Sequence, residues 1–191
     1  YIGSRGLGDV YKRQAIMKII LMGQQAFGKS ALEKFHTETD HEVVAVYCAP
    51  DKEGKPVDPV KEYAQSVSLP VYQPSNFKDQ EVLDQIKSHG ADLCVMAYVI
   101  IFVPEGARDI PTHGSICFHP SLLPLHRGPS SINWPIIGGS TKTGLSIFYP
   151  NDGLDEGEIL LQKEVDIGPD DTLGDVYFCL LYTSPSPRDP M

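Results

Sequence analysis

The chain has 191 residues, of which 16 are basic and 25 are acidic, and its formal net charge is −9. An acidic chain of this kind lacks the basic surface that binds phosphate backbones, so we expect no nucleic-acid partner. No apolar run reaches the length of a transmembrane helix and no signal-peptide pattern precedes Met17, so we expect no membrane partner. Cys48, Cys94 and Cys117 lie in apolar strand-like runs, which is typical of reduced, buried thiols and predicts a cytoplasmic location.

Both ends of the chain are predicted to be artefactual tails. Residues 179–189 can be back-translated into a DNA whose reverse complement, read in a shifted frame, encodes residues 4–14. That DNA resembles a transposase sequencing adapter, so residues 1–16 and 179–191 are excluded from the fold prediction. The tails hold four of the basic and two of the acidic residues, which leaves 12 basic and 23 acidic residues in one carboxyl-terminally truncated domain, residues 17–178.

Apolar runs and turn residues predict strands that alternate with helices along this domain. Helices are expected after Gly23, after Asp58 as N-cap with Pro59 in the first turn, and over residues 79–89 and 130–137. The alternation predicts a doubly wound, mostly parallel α/β sheet. Its strands are expected at residues 18–22, 41–47, 69–72, 93–98, 116–118, 144–149 and 159–162.

The first turn contains a possible phosphate-binding motif. Residues 23–30 match the P-loop pattern G-x-x-x-x-G-K-[ST], and they lie between a predicted strand and a predicted helix, as that motif requires. The other interpretation is a tight turn that uses Gly23 and Gly28 for backbone geometry. No later strand ends on a carboxylate suited to magnesium, which favours the turn, and a P-loop nucleotide-binding protein remains the alternative of another class.

A histidine lies at the end of the fifth predicted strand. The apolar residues 116–118 precede His119, and Pro120 and Pro124 prevent the strand from continuing. Open α/β sheets bind their ligands outside the carboxyl ends of the strands, so His119 is a candidate site residue.

An acidic turn follows the next predicted strand. Asp155 lies between Gly153 and Gly157, in a turn that we expect to be too small to hide a carboxylate. A histidine and an aspartate on loops after neighbouring strands are a candidate general acid/base pair.

Residues 99–104 are too apolar for an ordinary solvent loop. They pack in the core, or they form an apolar wall for a flat heterocycle, because ligand pockets are mostly hydrophobic with a few polar groups. The cysteines show no metal-ligand spacing, so no metal site is expected.

Together these motifs resemble the formyltransferases that use 10-formyltetrahydrofolate. The resemblance rests on H-P-S-L-L-P from His119 to Pro124, on Arg127-Gly128, and on G-L-D-x-G around Asp155. Residues 130–134 and 148–162 are most similar to the amino-terminal hydrolase domain of the formyltetrahydrofolate dehydrogenases. The resemblance implies the Rossmann-like formyltransferase fold and hydrolysis of 10-formyltetrahydrofolate to tetrahydrofolate and formate.

The resemblance also implies roles for individual residues. His119 donates a hydrogen bond or a proton to the formyl oxygen, and Asp155 binds and orients the attacking water or amine and accepts its proton. Ile101, Phe102 and Val103 occupy the positions that lie against the pterin in the family.

The expected ligand is therefore the folate substrate, 10-formyltetrahydrofolate. NADP is expected only if a dehydrogenase domain follows Phe178, and a homo-oligomer would form through such missing domains. Ser121 and Arg127 are expected to hold the loop after His119 rather than to react.

One position departs from the pattern of the formyl-transferring relatives. They carry asparagine two residues before the histidine, where this chain has Cys117, and a thiol is a poor substitute for an amide that holds an oxyanion. The hydrolase domain that the chain resembles also lacks this asparagine. Transfer to an amine, as in methionyl-tRNA or nucleotide-sugar formyltransferases, remains the alternative with the same fold. A nucleophilic Cys117 is less favoured, because strand burial makes a thiol inert.

Overall fold

The computed structural model describes residues 15–183. Its strands are β1 Lys18–Gly23, β2 Glu42–Tyr47, β3 Val71–Tyr72, β4 Leu93–Ala97, β5 Ser115–His119, β6 Lys142–Phe148 and β7 Ile159–Asp166. Its helices are α1 Gln25–Glu38, α2 Pro59–Ser66, α3 Gln80–Ser88, α4 Glu105–Arg108, α5 Asn133–Ile137 and α6 Leu173–Thr183.

The strands form one seven-stranded sheet in the order β3-β2-β1-β4-β5-β6-β7. The first five strands pair in parallel, whereas β6 is antiparallel to β5 and β7 is antiparallel to β6. The prediction of a doubly wound, mostly parallel sheet is therefore confirmed. The chain adds β2 and β3 on one side of β1 and then crosses to β4 on the other, so the carboxyl ends of β1 and β4 form a topological switch point.

The central strands are covered on both faces, which explains their continuous hydrophobicity. In β1, Ile19 and Leu21 pack with α1 and α2 on one face, while Ile20 and Met22 pack with α3 and α4 on the other. Successive side chains of a strand point to opposite faces, so an unbroken apolar run fills two core layers at once. All four of these side chains are at most 1 % exposed.

The last helix, α6, crosses the predicted domain boundary at residue 178. Its buried residues Val176 and Leu180 pack with Ile132 and Val165 in a third apolar cluster. Residues 1–14 and 184–191, which make up most of the two predicted tails, lie outside the described residues. The assignment of the tails as artefactual therefore stays a prediction.

Candidate active site

The imidazole of His119 is held from two sides at the end of β5. Its Nε2 lies 2.9 Å from the backbone carbonyl oxygen of His126, and its Nδ1 lies 3.5 Å from Oδ2 of Asp155. A carbonyl oxygen can only accept, so Nε2 carries a hydrogen and donates it to His126. The nitrogen left for proton transfer is Nδ1, which faces the aspartate. The ring is 8 % exposed, so the surrounding chain fixes its orientation.

Asp155 reaches His119 from the loop that joins β6 to β7. Because β6 is antiparallel, its last residue, Phe148, pairs with Cys117, two positions before His119. β6 has by then already passed His119, which pairs with Ser146, so the loop must turn back towards the end of β5 to bring Asp155 to His119. The side chain of Asp155 is only 21 % exposed, so the turn hides more of the carboxylate than its small size predicted.

The loop after His119 supplies a hydrogen-bond donor to Asp155. The backbone N–H of Gly128 lies 2.7 Å from Oδ2 of Asp155. Gly128 has a φ of 78°, and a Cβ at this position would lie 3.1 Å from Cδ2 of Leu154. Glycine is therefore required where the two loops meet. Within residues 15–183, the other carboxylate oxygen of Asp155, Oδ1, makes no hydrogen bond.

Further contacts hold the His119 loop in the way expected for Ser121 and Arg127. The buried hydroxyl of Ser121 donates to the carbonyl oxygen of Leu125 at 2.7 Å. Arg127 donates through Nη1 to Oε1 of Glu156 at 2.8 Å, which ties the loop to the residue after Asp155.

A buried hydroxyl that the sequence analysis missed anchors the same loop to the sheet. Ser146 of β6 accepts hydrogen bonds from the backbone N–H of Leu123 and from the Gln162 side chain, and it donates to the carbonyl oxygen of Ser121. A hydroxyl can donate one hydrogen bond and accept two, so the hydrogen-bonding capacity of Ser146 is fully satisfied. Its partners are 16 to 25 positions away, and no local pattern in the sequence marks such contacts.

An ion pair between a buried arginine and an exposed aspartate was also missed. Arg108, whose side chain is 7 % exposed, donates through Nη2 to Oδ1 of Asp152 at 2.8 Å. The two residues are 44 positions apart, so their pairing leaves no spacing signal in the sequence.

Cys117 lies two residues before His119 on the same face of β5. The residue is partly exposed, but its thiol group is enclosed by protein, and burial raises the pKa of this thiol to about 12. The negative charge of Asp155 acts in the same direction as burial. The thiol therefore stays protonated at neutral pH, which argues against the nucleophilic role considered above.

This protonation state gives a first prediction. We expect Cys117 to react slowly with iodoacetamide near neutral pH and faster as the pH rises towards about 12, because only the thiolate is nucleophilic. Mass spectrometry of the modified peptides measures the rate, with the exposed Cys179 as internal reference. Modification of Cys117 as fast as Cys179 at neutral pH would contradict the assignment.

The apolar segment after β4 is partly packed in the core and partly exposed. Val103 is 5 % exposed and packs in the core with residues of α3 and α4, whereas Phe102 is 61 % exposed. Ile101 is half-buried and lines a small cavity with Tyr47 and Phe77. Contact of Ile101, Phe102 and Val103 with a folate stays a prediction.

The structure does not favour the P-loop interpretation. Oδ1 and Oδ2 of Asp58 lie 2.8 and 3.0 Å from the backbone nitrogen of Gln25 at the start of α1, while Oδ1 also caps α2 at the nitrogen of Val60. A carboxylate thus occupies the helix N-terminus where a P-loop would bind phosphate. A Cβ at Gly28 would lie 2.9 Å from the carbonyl carbon of Gly23, so these glycines serve close packing.

The second prediction follows from this arrangement. Lys29 is exposed on α1, and we expect Lys29→Ala to change formate release by no more than a few-fold and magnesium-dependent binding of ATP or GTP to be undetectable. Isothermal titration calorimetry with MgATP and MgGTP provides the second measurement. Micromolar nucleotide binding that is lost in Lys29→Ala would restore the P-loop interpretation.

A cavity of about 440 Å³ opens beside Pro120, the residue after His119. Its lining is mainly apolar, with Phe27, Tyr98 and Tyr177 among the residues that enclose it. Within residues 15–183, no helix is long and apolar enough to cross a membrane, and no group of three or more His, Cys, Asp or Glu side chains could hold a metal ion.

Solved structures share this architecture. Phosphoribosylglycinamide formyltransferase from Bacillus halodurans superposes with a TM-score of 0.75 at 23% identity, covering 87% of this chain and 88% of that chain. A formyltetrahydrofolate deformylase from Pseudomonas syringae pv. tomato superposes with a TM-score of 0.74 at 20% identity, covering 88% of this chain and 57% of that one. At such identities the likeness shows the fold alone, and it confirms the Rossmann-like formyltransferase fold.

Several sequence relatives have a higher identity to this chain than these solved structures have. The chain is 42% identical over 171 residues to the cytosolic 10-formyltetrahydrofolate dehydrogenase of Mus musculus, and 40% identical over 180 residues to the mitochondrial 10-formyltetrahydrofolate dehydrogenase of Homo sapiens. These matches cover 87% and 92% of this chain but only 19% of either relative. It is also 42% identical over 161 residues to the methionyl-tRNA formyltransferase of Fusobacterium nucleatum, covering 82% of this chain and 51% of that protein.

The family model described as "Formyl transferase" matches residues 17–182, which include all seven strands and both halves of the His119–Asp155 pair. The fold, the relatives and this match agree, and the chain belongs to the formyl transferase family.

Proposed function

We propose that the chain hydrolyses 10-formyltetrahydrofolate to tetrahydrofolate and formate, as the formyl-releasing domain of a formyltetrahydrofolate dehydrogenase. The observation that carries the proposal is the contact between Nδ1 of His119 and Oδ2 of Asp155. Similarity to the dehydrogenases of mouse and human supports the choice of substrate and of water as acceptor.

The chemistry requires a donor for an oxyanion and a base for water. Water adds to the formyl carbon, and the negative charge that develops on the formyl oxygen accepts Nδ1–H from a protonated His119. Asp155 takes the proton that the water loses and returns it to the folate nitrogen when the carbon–nitrogen bond breaks. Oδ2 of Asp155 already accepts a hydrogen bond from the N–H of Gly128, so Oδ1 is the oxygen that contacts the water.

Substrate binding in this proposal involves Asp155 and the segment of Ile101, Phe102 and Val103. Phe102 is the most exposed of the three apolar side chains and offers a face for the pterin. Val103 contributes mainly by packing in the core, since it is almost fully buried.

Transfer of the formyl group to an amine is the second candidate, because the methionyl-tRNA formyltransferase is 42% identical as well. Cys117 favours hydrolysis by resemblance, because the formyl-transferring pattern has asparagine at this position and the hydrolase domain that the chain resembles lacks it. The two activities differ in their products, so one assay separates them.

The test is to incubate the purified chain with 10-formyltetrahydrofolate and to measure formate and tetrahydrofolate. We expect equal amounts of both products without any amine. No formate above the uncatalysed rate would refute hydrolysis, and formylmethionyl-tRNA formed at the expense of formate when methionyl-tRNA is added would support transfer.

The remaining expectations extend the same proposal. NADP and a homo-oligomer belong to it only where a dehydrogenase domain accompanies this one, and the folate is the small-molecule partner. A cytoplasmic location stays a prediction, because relatives of nearly equal similarity are described as cytosolic and as mitochondrial.

A further inference from the structure

Arg108 is a buried cation that contacts two of the segments around the candidate site. Nη2 lies 2.8 Å from Oδ1 of Asp152 in the β6–β7 loop, and Nη1 lies 3.5 Å from the carbonyl oxygen of Val103 in the segment after β4. The backbone carbonyl of Arg108 accepts a hydrogen bond of 2.6 Å from Ser115, the first residue of the strand that ends on His119. One residue thus joins the apolar segment, the loop of Asp155 and the strand of His119.

The two members of the ion pair differ in their exposure. The Arg108 side chain is 7 % exposed and the Asp152 side chain is 69 % exposed. The guanidinium also lies 4.0 Å from the exposed carboxylate of Asp109, through Nε, so loss of the shorter Asp152 contact leaves its buried charge poorly compensated, whereas an exposed aspartate is solvated in either state. The main effect of the ion pair is therefore to hold the β6–β7 loop against the rest of the domain, rather than to hold Arg108 in place.

The β6–β7 loop is held by an ion pair on either side of Asp155. Asp152 is bound to Arg108, and Glu156 is bound to Arg127 at 2.8 Å. Asp155 lies between these two ion pairs and has a φ of 46°, a conformation that non-glycine residues rarely adopt. The backbone that presents the carboxylate to His119 is thus fixed at both ends.

We propose that Arg108 is a positioning residue. It holds Asp152, and through the loop it holds the carboxylate of Asp155 at His119, while its contact with Val103 links this loop to the apolar segment. The proposal rests on the proposed hydrolysis, because Asp155 is the base of that reaction. Arg108 itself does not touch the reacting atoms.

The test compares Asp152→Asn with Glu164→Gln. Asp152→Asn removes the charge from the pair with little change in volume, and Glu164→Gln breaks the exposed ion pair with Lys142, at the far end of the same β6–β7 hairpin. We expect Asp152→Asn to lower kcat by about 10- to 100-fold with KM nearly unchanged, since a small misplacement of a catalytic group has this size of effect. Glu164→Gln should leave kcat and KM unchanged.

Amide hydrogen exchange gives a readout that does not depend on turnover. In Asp152→Asn, the amides of residues 152–157 should exchange faster, while those of β1 and β4 keep their protection. Arg108→Lys should restore only part of kcat relative to Arg108→Met, because an ammonium cannot reproduce the two separate contacts of the guanidinium.

The outcomes separate this inference from the proposed function. If the unmodified chain releases no formate, the proposed function fails, and loop exchange alone decides whether Arg108 positions the loop. Unchanged loop exchange in Asp152→Asn overturns the inference, as does an unchanged kcat in an active chain. Equal loss of protection throughout the domain also overturns it, since that result assigns the pair to global stability.

Discussion

The His119→Ala variant is expected to release formate about 10²–10⁴-fold more slowly than the unmodified chain, the usual contribution of a positioned acid or base. The imidazole is the proton-transferring side chain beside Asp155, because its Nδ1 lies 3.5 Å from Oδ2 of the aspartate. Steady-state formate release at saturating 10-formyltetrahydrofolate measures the effect. His113→Ala is the matched control, because His113 is exposed on the loop before β5 and should leave turnover unchanged.

A second variant separates chemistry from folding. His119→Ala also removes the hydrogen bond to the carbonyl oxygen of His126. His119→Gln keeps an amide donor for that carbonyl but cannot transfer a proton at neutral pH. Both variants should lose turnover, while His119→Gln should retain the thermal stability of the unmodified chain. Full turnover in His119→Gln would remove the histidine from the chemistry.

The Asp155→Asn variant is expected to lower turnover by a similar factor, about 10²–10⁴-fold. Asparagine can still accept the hydrogen bond from the Gly128 N–H through its amide oxygen, so the loop keeps this contact, but an amide does not accept a proton from water. KM should change much less than kcat, because asparagine keeps a hydrogen-bonding side chain in the site and the apolar segment of residues 101–103 is untouched. Kinetics over a range of folate concentrations separate kcat from KM.

Glu158→Gln is the control for this variant. Glu158 is an exposed carboxylate in the same β6–β7 loop, so removing its charge tests whether any loss of negative charge in the loop slows the reaction. Turnover should be unchanged. If Glu158→Gln slows the reaction as much as Asp155→Asn does, then the loop acts by its overall charge and the specific role of Asp155 is wrong.

The elements of the sheet could be predicted because their signals are local. The apolar run of β1 predicted a strand covered on both faces, and Asp58 with Pro59 predicted the start of α2, where Asp58 caps the nitrogen of Val60. His119 could be placed at the end of β5 because Pro120 and Pro124 forbid a longer strand.

The geometry around Asp155 could not be predicted in the same way. No local pattern indicated that the antiparallel β6 would end beside Cys117, so that its loop must turn back to bring Asp155 to His119. The second contact of Asp58, to Gln25, joins residues 33 positions apart. Contacts of this kind depend on how loops from distant parts of the chain pack, and short-range periodicity does not predict them.

Arg108 illustrates the same limit for charge. In the sequence it is a basic residue in a short polar helix, which is typical of an exposed position. The structure buries it, because Asp152 supplies a carboxylate from another loop and Val103 a backbone carbonyl. Only the packed arrangement distinguishes it from an ordinary surface arginine.

The central claim is that His119 and Asp155 act together on one transition state, and a double-mutant cycle tests it most directly. Formate release is measured for the unmodified chain, for His119→Gln, for Asp155→Asn and for the double variant. Groups that act as a unit show strongly non-additive losses, so the double variant should be little slower than the slower single variant. A double variant whose loss equals the product of the two single losses would contradict the account, because it would show that the two residues act independently.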